Sequence, residues 1–288
     1  MPELPEVETM RRGIAPIAGA RIADVMRTPC RQKALCVEPR IDRLRRRVTD
    51  RTIREVGRVG KRVVLRLDSD ERLVFEPRMT GLVLLANPPD PEHLRLRMEL
   101  TQAPVRELLY WDRRGLGSVR LFDANEFQAN FGPTKLGPDA LNVTAGIYCE
   151  KLSDSRRAIK VAMLDQRAIA GIGNLYASEI LHVAGIHPDR QCNRMHARQW
   201  EALAAATRHV LAEAIRYEGS TLSDGTYRNA LNKQGGYQNH HRVYARAGAR
   251  CPSCSSGKIA RTVQAQRSTF HCPRCQRKTG ARLPLASV

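Results

Sequence analysis

The hydrophobic pattern of this chain changes its period near residue 150, and that change limits the fold to a β-sheet region followed by a helical region. Apolar and polar residues alternate in four segments of the first region, which predict half-buried strands: residues 62–67, 94–100, 107–111 and 118–122. Val7, Met10 and Ile14 instead recur at helical spacing, so a short amphipathic helix is expected over residues 5–18. The N-terminal region therefore predicts an antiparallel β-sandwich with an N-terminal helix.

In the second region, apolar residues recur with the helical period. Residues 198–217 gather their apolar side chains on one face, and Gly219 stands where that helix should end. Upstream, residues 159–166 and 175–183 predict two helices separated by a glycine-containing segment that permits tight turns. This order predicts a helix-two-turn-helix domain, followed by a loop over residues 219–250.

A compact array of cysteines lies near the C-terminus: Cys251, Cys254, Cys272 and Cys275. Two Cys-x2-Cys pairs separated by seventeen residues have the spacing of a four-thiolate zinc site, with a hairpin between the two knuckles. Because four thiolates complete the tetrahedron, the predicted cofactor is one structural Zn²⁺ ion and not a catalytic one. A pair of disulfides is the alternative. The other four cysteines are scattered and are expected to be free thiols in a reducing compartment: Cys30, Cys36, Cys149 and Cys192.

The segment between the two regions is rich in Gly, Pro and Asn and lacks periodicity, which predicts a linker. The expected fold is therefore an α+β multidomain protein. Its predicted parts are a β-sandwich domain at residues 1–135, a linker at 136–150, the helix-two-turn-helix domain at 151–245 and a zinc finger at 246–288.

The charge of the chain indicates a polyanionic partner. Lys and Arg number 48 against 29 Asp and Glu, which gives a formal net charge of +19. Many arginines lie in segments that also carry apolar patterning, so the charge should line a folded surface. No stretch reaches the roughly 18 apolar residues that span a bilayer, and the N-terminus lacks the hydrophobic core of a signal peptide. We therefore expect a cytoplasmic protein with no membrane partner.

The N-terminus carries groups suited to imine chemistry. If Met1 is removed, Pro2 presents a secondary amine beside Glu3 and Glu6. An α-amino group has a pKa of about 7.7–8.0, against about 10.4 for lysine, so it can attack the C1' of a nucleoside, expel the base and leave an iminium. Glu3 could protonate the sugar ring and Glu6 could hold the geometry. The alternative is an ordinary helix N-terminus, where proline and acidic residues are common.

Three motifs occur in order and resemble the Fpg/Nei family of DNA glycosylases, most of all its formamidopyrimidine-DNA glycosylase branch. They are Pro-Glu-Leu-Pro-Glu at residues 2–6, Leu-Asp-Gln with Gly-Ile-Gly-Asn-Leu-Tyr-Ala-Ser-Glu at residues 164–179, and Gln-Arg-Ser-Thr-Phe-His-Cys-Pro-Arg-Cys-Gln at residues 266–276. The resemblance implies a monomeric base-excision-repair enzyme that removes 8-oxoguanine and formamidopyrimidines from double-stranded DNA. It implies a proline Schiff base, and β,δ-elimination at the abasic site.

The resemblance also implies roles for individual residues. Pro2 matches the nucleophile, Glu3 and Glu6 match the catalytic acidic pair, and Lys61 matches a strand lysine that contacts the phosphate beside the lesion and assists the chemistry. Taken alone, Lys61 could equally be a surface lysine of a strand.

Three further residues match the family's DNA-backbone contacts. Lys160 precedes the two-turn motif, Asn174 opens its second helix, where free amides bind phosphate, and Arg267 lies in the zinc finger. Such contacts would hold DNA around one flipped nucleotide. Taken alone, Asn174 is typical of a helix cap and Arg267 of a solvated hairpin.

The residues that would fill the gap left by the flipped nucleotide depart from the family pattern. Met79 and Arg114 are retained, but Leu116 replaces an aromatic residue. Loss of that aromatic face is expected to remove about 1–3 kcal/mol of stacking and to weaken the preference for the opposite base. Glu76 replaces a histidine that helps bind phosphate in the family, and a carboxylate there would repel DNA unless Arg78 or another cation pairs with it.

Three alternatives to oxidised-purine repair account for part of the sequence. A preference for oxidised pyrimidines is possible within the same family, although Arg114 and the N-terminal motif argue against it. A damaged-DNA-binding protein without turnover has no need of Pro2, Glu3 or Lys61. A zinc-ribbon transcription or RNA-binding module accounts for the charge and the cysteines but not for the N-terminus.

Overall fold

The computed structural model describes residues 2–30 and 34–278. The chain divides into two compact units, Met1–Lys135 with Ala214–Gln238, and Leu136–Glu213 with Asn239–Val288. Within the described residues, no helix combines the length and apolar character needed to span a bilayer.

The first unit is a β-sandwich that follows an N-terminal helix. The helix α1 (Leu4–Ile14) continues into a short 3-10 turn, and Val7, Met10 and Ile14 are fully buried as predicted. The strands are β1 (Arg21–Arg27), β2 (Cys36–Glu38), β3 (Ile53–Val59), β4 (Arg62–Leu67), β5 (Arg72–Glu76), β6 (Gly81–Leu84), β7 (Leu94–Thr101), β8 (Glu107–Asp112) and β9 (Ser118–Phe122). One sheet has the order β1-β7-β8-β6 and the other the order β2-β9-β5-β4-β3. Neighbouring strands are antiparallel except β2 and β9, which run parallel. The predicted sandwich is confirmed.

Two helices of this unit were not expected from the sequence. The helix α2 (Ile41–Val48) buries only Leu44 and Val48 among many arginines, so its apolar periodicity is too sparse to detect. The helix α3 (Ala124–Phe131) packs its two phenylalanines against Phe122 on the outer face of the five-stranded sheet.

The second unit contains the helices of the two-turn motif and the cysteine hairpin. Its helices are α4 (Ala145–Leu152), α5 (Ile159–Met163), α6 (Asn174–Val183) and most of α7 (Ala197–Arg216), whose residues from Ala214 onward belong to the first unit. Its strands are β10 (Ala260–Gln264) and β11 (Arg267–His271). The predicted helix-turns-helix order and the hairpin between the cysteine pairs are confirmed.

The structure differs from the sequence prediction in the segment expected to be a linker. The helix α4 begins inside residues 136–150, because the Thr144 hydroxyl accepts a hydrogen bond from the Ile147 amide at 3.2 Å and caps the helix. Tyr148 and Leu152 are its buried residues. Because this short helix buries only these two side chains, it has no repeating apolar face that the sequence pattern could reveal.

Candidate active site

The N-terminal residues are held in place by the carboxylate of Glu6. Glu6 Oε2 accepts a hydrogen bond from the amide of Glu3 at 2.9 Å, and Oε1 accepts one from the amide of Ser220, also at 2.9 Å. Glu3 and Glu6 are each 3% exposed, and Pro2 is buried. Both carboxyls are therefore enclosed, and both oxygens of Glu6 accept backbone hydrogen bonds. This arrangement suits Glu6 to hold the geometry of the N-terminus, as the sequence predicted, and it also caps α1.

The loop that meets Glu6 is shaped by a glycine. Gly219 has φ +77°, and a Cβ built there would lie 2.9 Å from both Cγ and Oε1 of Glu6. Tyr227 donates a hydrogen bond from its hydroxyl to the carbonyl of Glu218 at 3.0 Å and fixes the same bend. Sequence reasoning identified this loop but did not identify its contacts with Glu6, because they join residues more than 200 positions apart.

Lys61 lies in the turn between β3 and β4, where a strand position was expected. It follows Gly60, which has φ +53°. The guanidinium of Arg58 donates to the carbonyl of Gly60 at 2.7 Å and to Oε2 of Glu8 on α1 at 3.1 Å. The turn that carries Lys61 is therefore bonded to the helix that follows Glu3. Sequence reasoning missed both Arg58 and Glu8, although the helical spacing of Glu8 to its partners Arg11 and Arg12 was visible.

The carboxylate of Glu8 is ionised by this environment. Burial opposes its ionisation, but hydrogen bonds from Arg11, Arg12 and Arg58 outweigh that effect and hold the pKa of Glu8 below its ordinary value of 4.5.

The turns that carry the predicted wedge residues lie next to each other. Met79 is 37% exposed and Arg114 is exposed, whereas Leu116 is partly buried. The amide of Arg114 donates to the hydroxyl of Thr80 at 3.0 Å, which joins the two turns. The structure thus brings Met79 and Arg114 to one place, as the resemblance implied.

Glu76 has the cationic partners that the sequence required. Its carboxylate lies 3.1 Å from Nη2 of Arg62 and 3.4 Å from Nε of Arg78. Two cations therefore pair with Glu76, and its negative charge is compensated within the same unit.

In the second unit, Lys160 is completely buried and joins the two-turn motif to the cysteine hairpin. Its ammonium donates to Oδ1 of Asn174 at 2.6 Å and to the hydroxyl of Thr269 at 2.7 Å. Asn174 Nδ2 donates in turn to the carbonyl of Ser268 at 3.0 Å. Arg267, the next residue back along the chain, is exposed.

These contacts enclose the ammonium of Lys160, which has no exposed surface. It binds Asn174, the first residue of α6, and Thr269 on β11, the strand that begins at Arg267. The contact of Lys160 with a DNA phosphate stays a prediction.

The four cysteines form a site that fits a tetrahedral metal ion. Their sulfur atoms all lie within 4.8 Å of one another, with 3.7 Å between Cys251 and Cys275 and 3.8 Å between Cys254 and Cys272. Thiolates about 2.3 Å from a tetrahedral zinc ion lie about 3.8 Å apart, so the geometry matches. Position 257 beside the cluster requires glycine, because a Cβ there would lie 2.6 Å from the Cys272 sulfur. All eight cysteines lie in described residues and are free of disulfides.

A buried histidine connects this cysteine cluster to α6. His182 Nε2 lies 3.0 Å from the hydroxyl of Ser253 and Nδ1 lies 3.3 Å from Oε1 of Gln276. The same Gln276 oxygen accepts from the amide of Cys272 at 2.9 Å. Burial lowers the pKa of His182 to about 4, which keeps the ring neutral. Sequence reasoning missed these residues because nothing in their local pattern indicates a contact.

Comparison with known proteins identifies the family. The family model of the formamidopyrimidine-DNA glycosylase N-terminal domain matches residues 1–119, and that of the formamidopyrimidine-DNA glycosylase H2TH domain matches residues 136–226. The chain belongs to the formamidopyrimidine-DNA glycosylase family. The first match of this family contains α1 and most of the sandwich, and the second contains the two-turn motif.

Individual members of the family resemble the chain over nearly its full length. The formamidopyrimidine-DNA glycosylase of Chloroflexus aurantiacus is 39% identical over 279 residues, which cover 96% of this chain and 98% of that protein. The one from Thermomicrobium roseum is 35% identical over 294 residues, with 96% and 99% covered.

Solved structures of the family have the same fold. A Lactococcus lactis FPG mutant in complex with DNA containing Fapy-dG matches with a TM-score of 0.84 and 32% identity, covering 96% of this chain and all of that one. The Lactococcus lactis Fpg in complex with DNA containing an abasic site matches with a TM-score of 0.83, 32% identity and the same coverage. The α+β architecture of sandwich, helical domain and cysteine hairpin is therefore the formamidopyrimidine-DNA glycosylase fold.

Proposed function

We propose that this chain is a bifunctional DNA glycosylase and abasic-site lyase that removes oxidised purines, chiefly 8-oxoguanine and formamidopyrimidines, from double-stranded DNA. The observation that carries the proposal is the fixed N-terminus: Pro2 and Glu3 precede α1, and the carboxylate of Glu6 accepts a hydrogen bond from the amide of Glu3. The proposal is supported by the family and by Lactococcus lactis relatives whose structures contain Fapy-dG and abasic-site DNA.

The proposed reaction begins with the amine of Pro2, which requires that Met1 be removed. The nitrogen forms a bond to C1' of the damaged nucleotide, and the bond from C1' to the base breaks, so that the base leaves after protonation. Ring opening gives an iminium, which acts as an electron sink. Loss of a proton from C2' then permits elimination of the 3' phosphate, and a second elimination releases the 5' phosphate.

The other site residues take supporting roles in this proposal. Glu3, buried next to the nucleophile, donates the proton to the sugar ring oxygen. Glu6 positions the N-terminus through its two backbone contacts. Lys61 contacts the phosphate beside the lesion from a turn that Arg58 holds.

The proposed partner is damaged double-stranded DNA, which fits the net charge of +19. Asn174 opens a helix whose first amides can bind a phosphate and is positioned by Lys160, and Arg267 is exposed for a second phosphate. Met79, Arg114 and Leu116 fill the gap in the duplex. We further propose a monomer that acts in the cytoplasm, with a catalytic domain at residues 1–135 and a zinc finger at residues 246–288.

We propose that the four cysteines hold one structural Zn²⁺ ion. A closed set of four thiolates leaves the ion no open position, so its contribution is to fold the hairpin that carries Arg267. No chemical step on the nucleotide involves this ion.

The test compares cleavage of duplexes that contain 8-oxoguanine, an oxidised pyrimidine or no lesion. We expect cleavage at 8-oxoguanine with β,δ-elimination products, and loss of excision in Pro2→Gly with retained binding to an abasic-analogue duplex. Faster cleavage at the pyrimidine lesion would support the pyrimidine alternative. Damage-specific binding without cleavage, by a chain that starts at Pro2, would support the silent binding protein.

A further inference from the structure

We propose that Thr80 and Asp112 form a buried pair, called the lock, that fixes the turns of Met79 and Arg114 relative to each other. By fixing these turns, Thr80 and Asp112 determine how strongly the protein selects the base opposite the lesion. This inference rests on the proposed function. Neither Thr80 nor Asp112 touches the reacting atoms, so both are positioning residues.

The lock begins at the hydroxyl of Thr80. Thr80 directly follows Met79, is 5% exposed, and donates its hydroxyl proton to Oδ1 of Asp112. The hydroxyl oxygen of Thr80 also accepts a hydrogen bond from the amide of Arg114 at 3.0 Å. The Thr80 hydroxyl thus joins the turn of Met79 to the turn of Arg114 by two hydrogen bonds, one as donor and one as acceptor.

The carboxylate of Asp112 organises the second turn around itself. Asp112 has no exposed surface, and Oδ1 accepts from the amide of Arg114 at 3.2 Å while Oδ2 accepts from the amide of Gly117 at 2.8 Å. With the Thr80 hydroxyl, three donors therefore satisfy this buried carboxylate. A buried carboxylate with that many donors holds its partners firmly, because losing any donor leaves a charge partly unsolvated.

A buried arginine donates hydrogen bonds to the carbonyl groups of the same turn. Arg95 on β7 is 2% exposed, and its guanidinium donates to the carbonyl of Asp112 at 2.7 Å and to that of Arg113 at 3.4 Å. The backbone around Arg114 is therefore fixed in two ways: Arg95 binds the carbonyls of Asp112 and Arg113, and the Asp112 carboxylate binds the amides of Arg114 and Gly117.

Close packing prevents the two turns from sliding past each other. The hydroxyl of Tyr110 donates to the carbonyl of Glu76 at 3.0 Å and lies between two glycines. A Cβ at Gly117 would lie 1.9 Å from that hydroxyl, and one at Gly81 would lie 2.5 Å from it. The turns thus have one arrangement, and only glycine fits at these two positions.

This rigidity matters more here because the wedge lacks an aromatic residue. Leu116 offers no ring to stack on a base, so selection of the opposite base depends on where Arg114 presents its hydrogen-bond donors. A backbone fixed before binding lowers the entropic cost of placing those donors, because only the side chain of Arg114 then has to be ordered. Loosening the lock should therefore reduce discrimination before it reduces the chemistry of Pro2.

The experiment compares Thr80→Val, which keeps the shape but removes the hydroxyl, with Thr80→Ser, which keeps the hydroxyl. The measured quantity is the ratio of kcat/KM for 8-oxoguanine opposite cytosine to that opposite adenine. We expect about a tenfold smaller ratio for Thr80→Val, because a tenfold effect corresponds to the loss of about one hydrogen bond. For Thr80→Ser we expect a ratio close to that of the wild type. Thermal melting confirms that each variant folds.

A folded Thr80→Val with the wild-type ratio would overturn the proposal. If Thr80→Val does not fold, Asp112→Asn takes its place, because it keeps the acceptor for Thr80 but loses the one for Gly117, and an unchanged ratio there would be equally decisive. If the wild-type protein does not cleave 8-oxoguanine, the proposed function has failed. The lock is then tested by the affinity ratio for abasic-analogue duplexes with cytosine or adenine opposite the site, with the same two outcomes.

Discussion

Arg58 and Glu8 form a buried ion pair that connects two parts of the candidate active site. Their side chains are 8% and 9% exposed, and the nitrogen and oxygen are 3.1 Å apart. Because Arg58 also binds the carbonyl of Gly60, the pair links α1, which follows Glu3, to the turn that carries Lys61. Arg58 and Glu8 thus connect the backbone next to Glu3 with the turn of Lys61, and neither has a part in the proposed chemistry.

Arg58→Met should destabilise the protein by about 1–3 kcal/mol, because it leaves the buried carbonyl of Gly60 without its donor and removes one partner of a buried carboxylate. Arg12→Met is the matched control: Arg12 also binds Glu8, but its side chain is 58% exposed, so its loss should cost less than about 1 kcal/mol. Urea unfolding measures both values. Equal losses for the two variants would show that burial of Arg58 is unimportant.

The lowered pKa of Glu8 predicts a loss of stability in acid. A carboxyl with a depressed pKa in the folded state stabilises the protein fully above its ordinary value of 4.5, and this contribution disappears as the pH falls toward the lowered pKa. Glu8→Gln should therefore narrow the difference in melting temperature between about pH 5 and pH 3. Glu150→Gln, at an exposed position, is the control. Parallel curves for wild type and Glu8→Gln would contradict the assignment.

Lys160→Met should weaken DNA binding without changing its dependence on salt. The variant removes the donor shared by Asn174 and Thr269, so the uncharged Asn174 loses its placement, while Arg267 and the other exposed cations keep their contacts with phosphate. Arg267→Ala removes an exposed cation and should reduce the slope of log affinity against log salt by about 0.9. Titrations at several salt concentrations separate the two effects, and a reduced slope for Lys160→Met would indicate direct contact.

Cys254→Ala should abolish binding of one zinc ion per chain and weaken DNA binding, because the hairpin that carries Arg267 depends on the closed thiolate site. Cys149→Ala, at an exposed cysteine outside the cluster, should change neither. Elemental analysis gives the metal content and a DNA titration gives the affinity. A metal-free Cys254→Ala protein with wild-type affinity would contradict the prediction.

Gly219→Ala should reduce both stability and base excision, because the added Cβ would lie 2.9 Å from Oε1 of Glu6 and displace the carboxylate that holds the N-terminus. Gly225→Ala is the control, since Gly225 has a similar positive φ of +63° but nothing within 4 Å of its added Cβ. It should show only the backbone cost of about 1 kcal/mol. Similar excision rates for the two variants would mean that the contact with Glu6 is not needed.

The sequence predicts the parts of the fold whose apolar periodicity is regular. The sequence pattern identified the strands β4, β7, β8 and β9 and the long helix α7, although β8 is buried at consecutive positions and not on one face alone. Strand β6 is buried on both faces, so it does not alternate. The helices α2 and α4 were missed because each buries only two side chains, which leaves no repeating apolar face.

Site residues were predictable where a motif is continuous in the chain and not where contacts are distant. The cysteine pairs and the residues from Pro2 to Glu6 were identified by local spacing. The contacts of Arg95 with Asp112 and of Lys160 with Thr269 join residues 17 and 109 positions apart, and no local pattern marks them. Burial is a further property that the local sequence does not show, since Lys160 is charged yet has no exposed surface.

In the proposed mechanism, Pro2 forms the covalent bond to the damaged nucleotide. The most direct test of this step is borohydride trapping on a duplex with 8-oxoguanine opposite cytosine, followed by mass spectrometry of the trapped peptide. The proposed mechanism predicts an adduct on the N-terminal peptide of a chain that begins at Pro2. Absence of an adduct from such a chain, or an adduct on the peptide that contains Lys61, would contradict it.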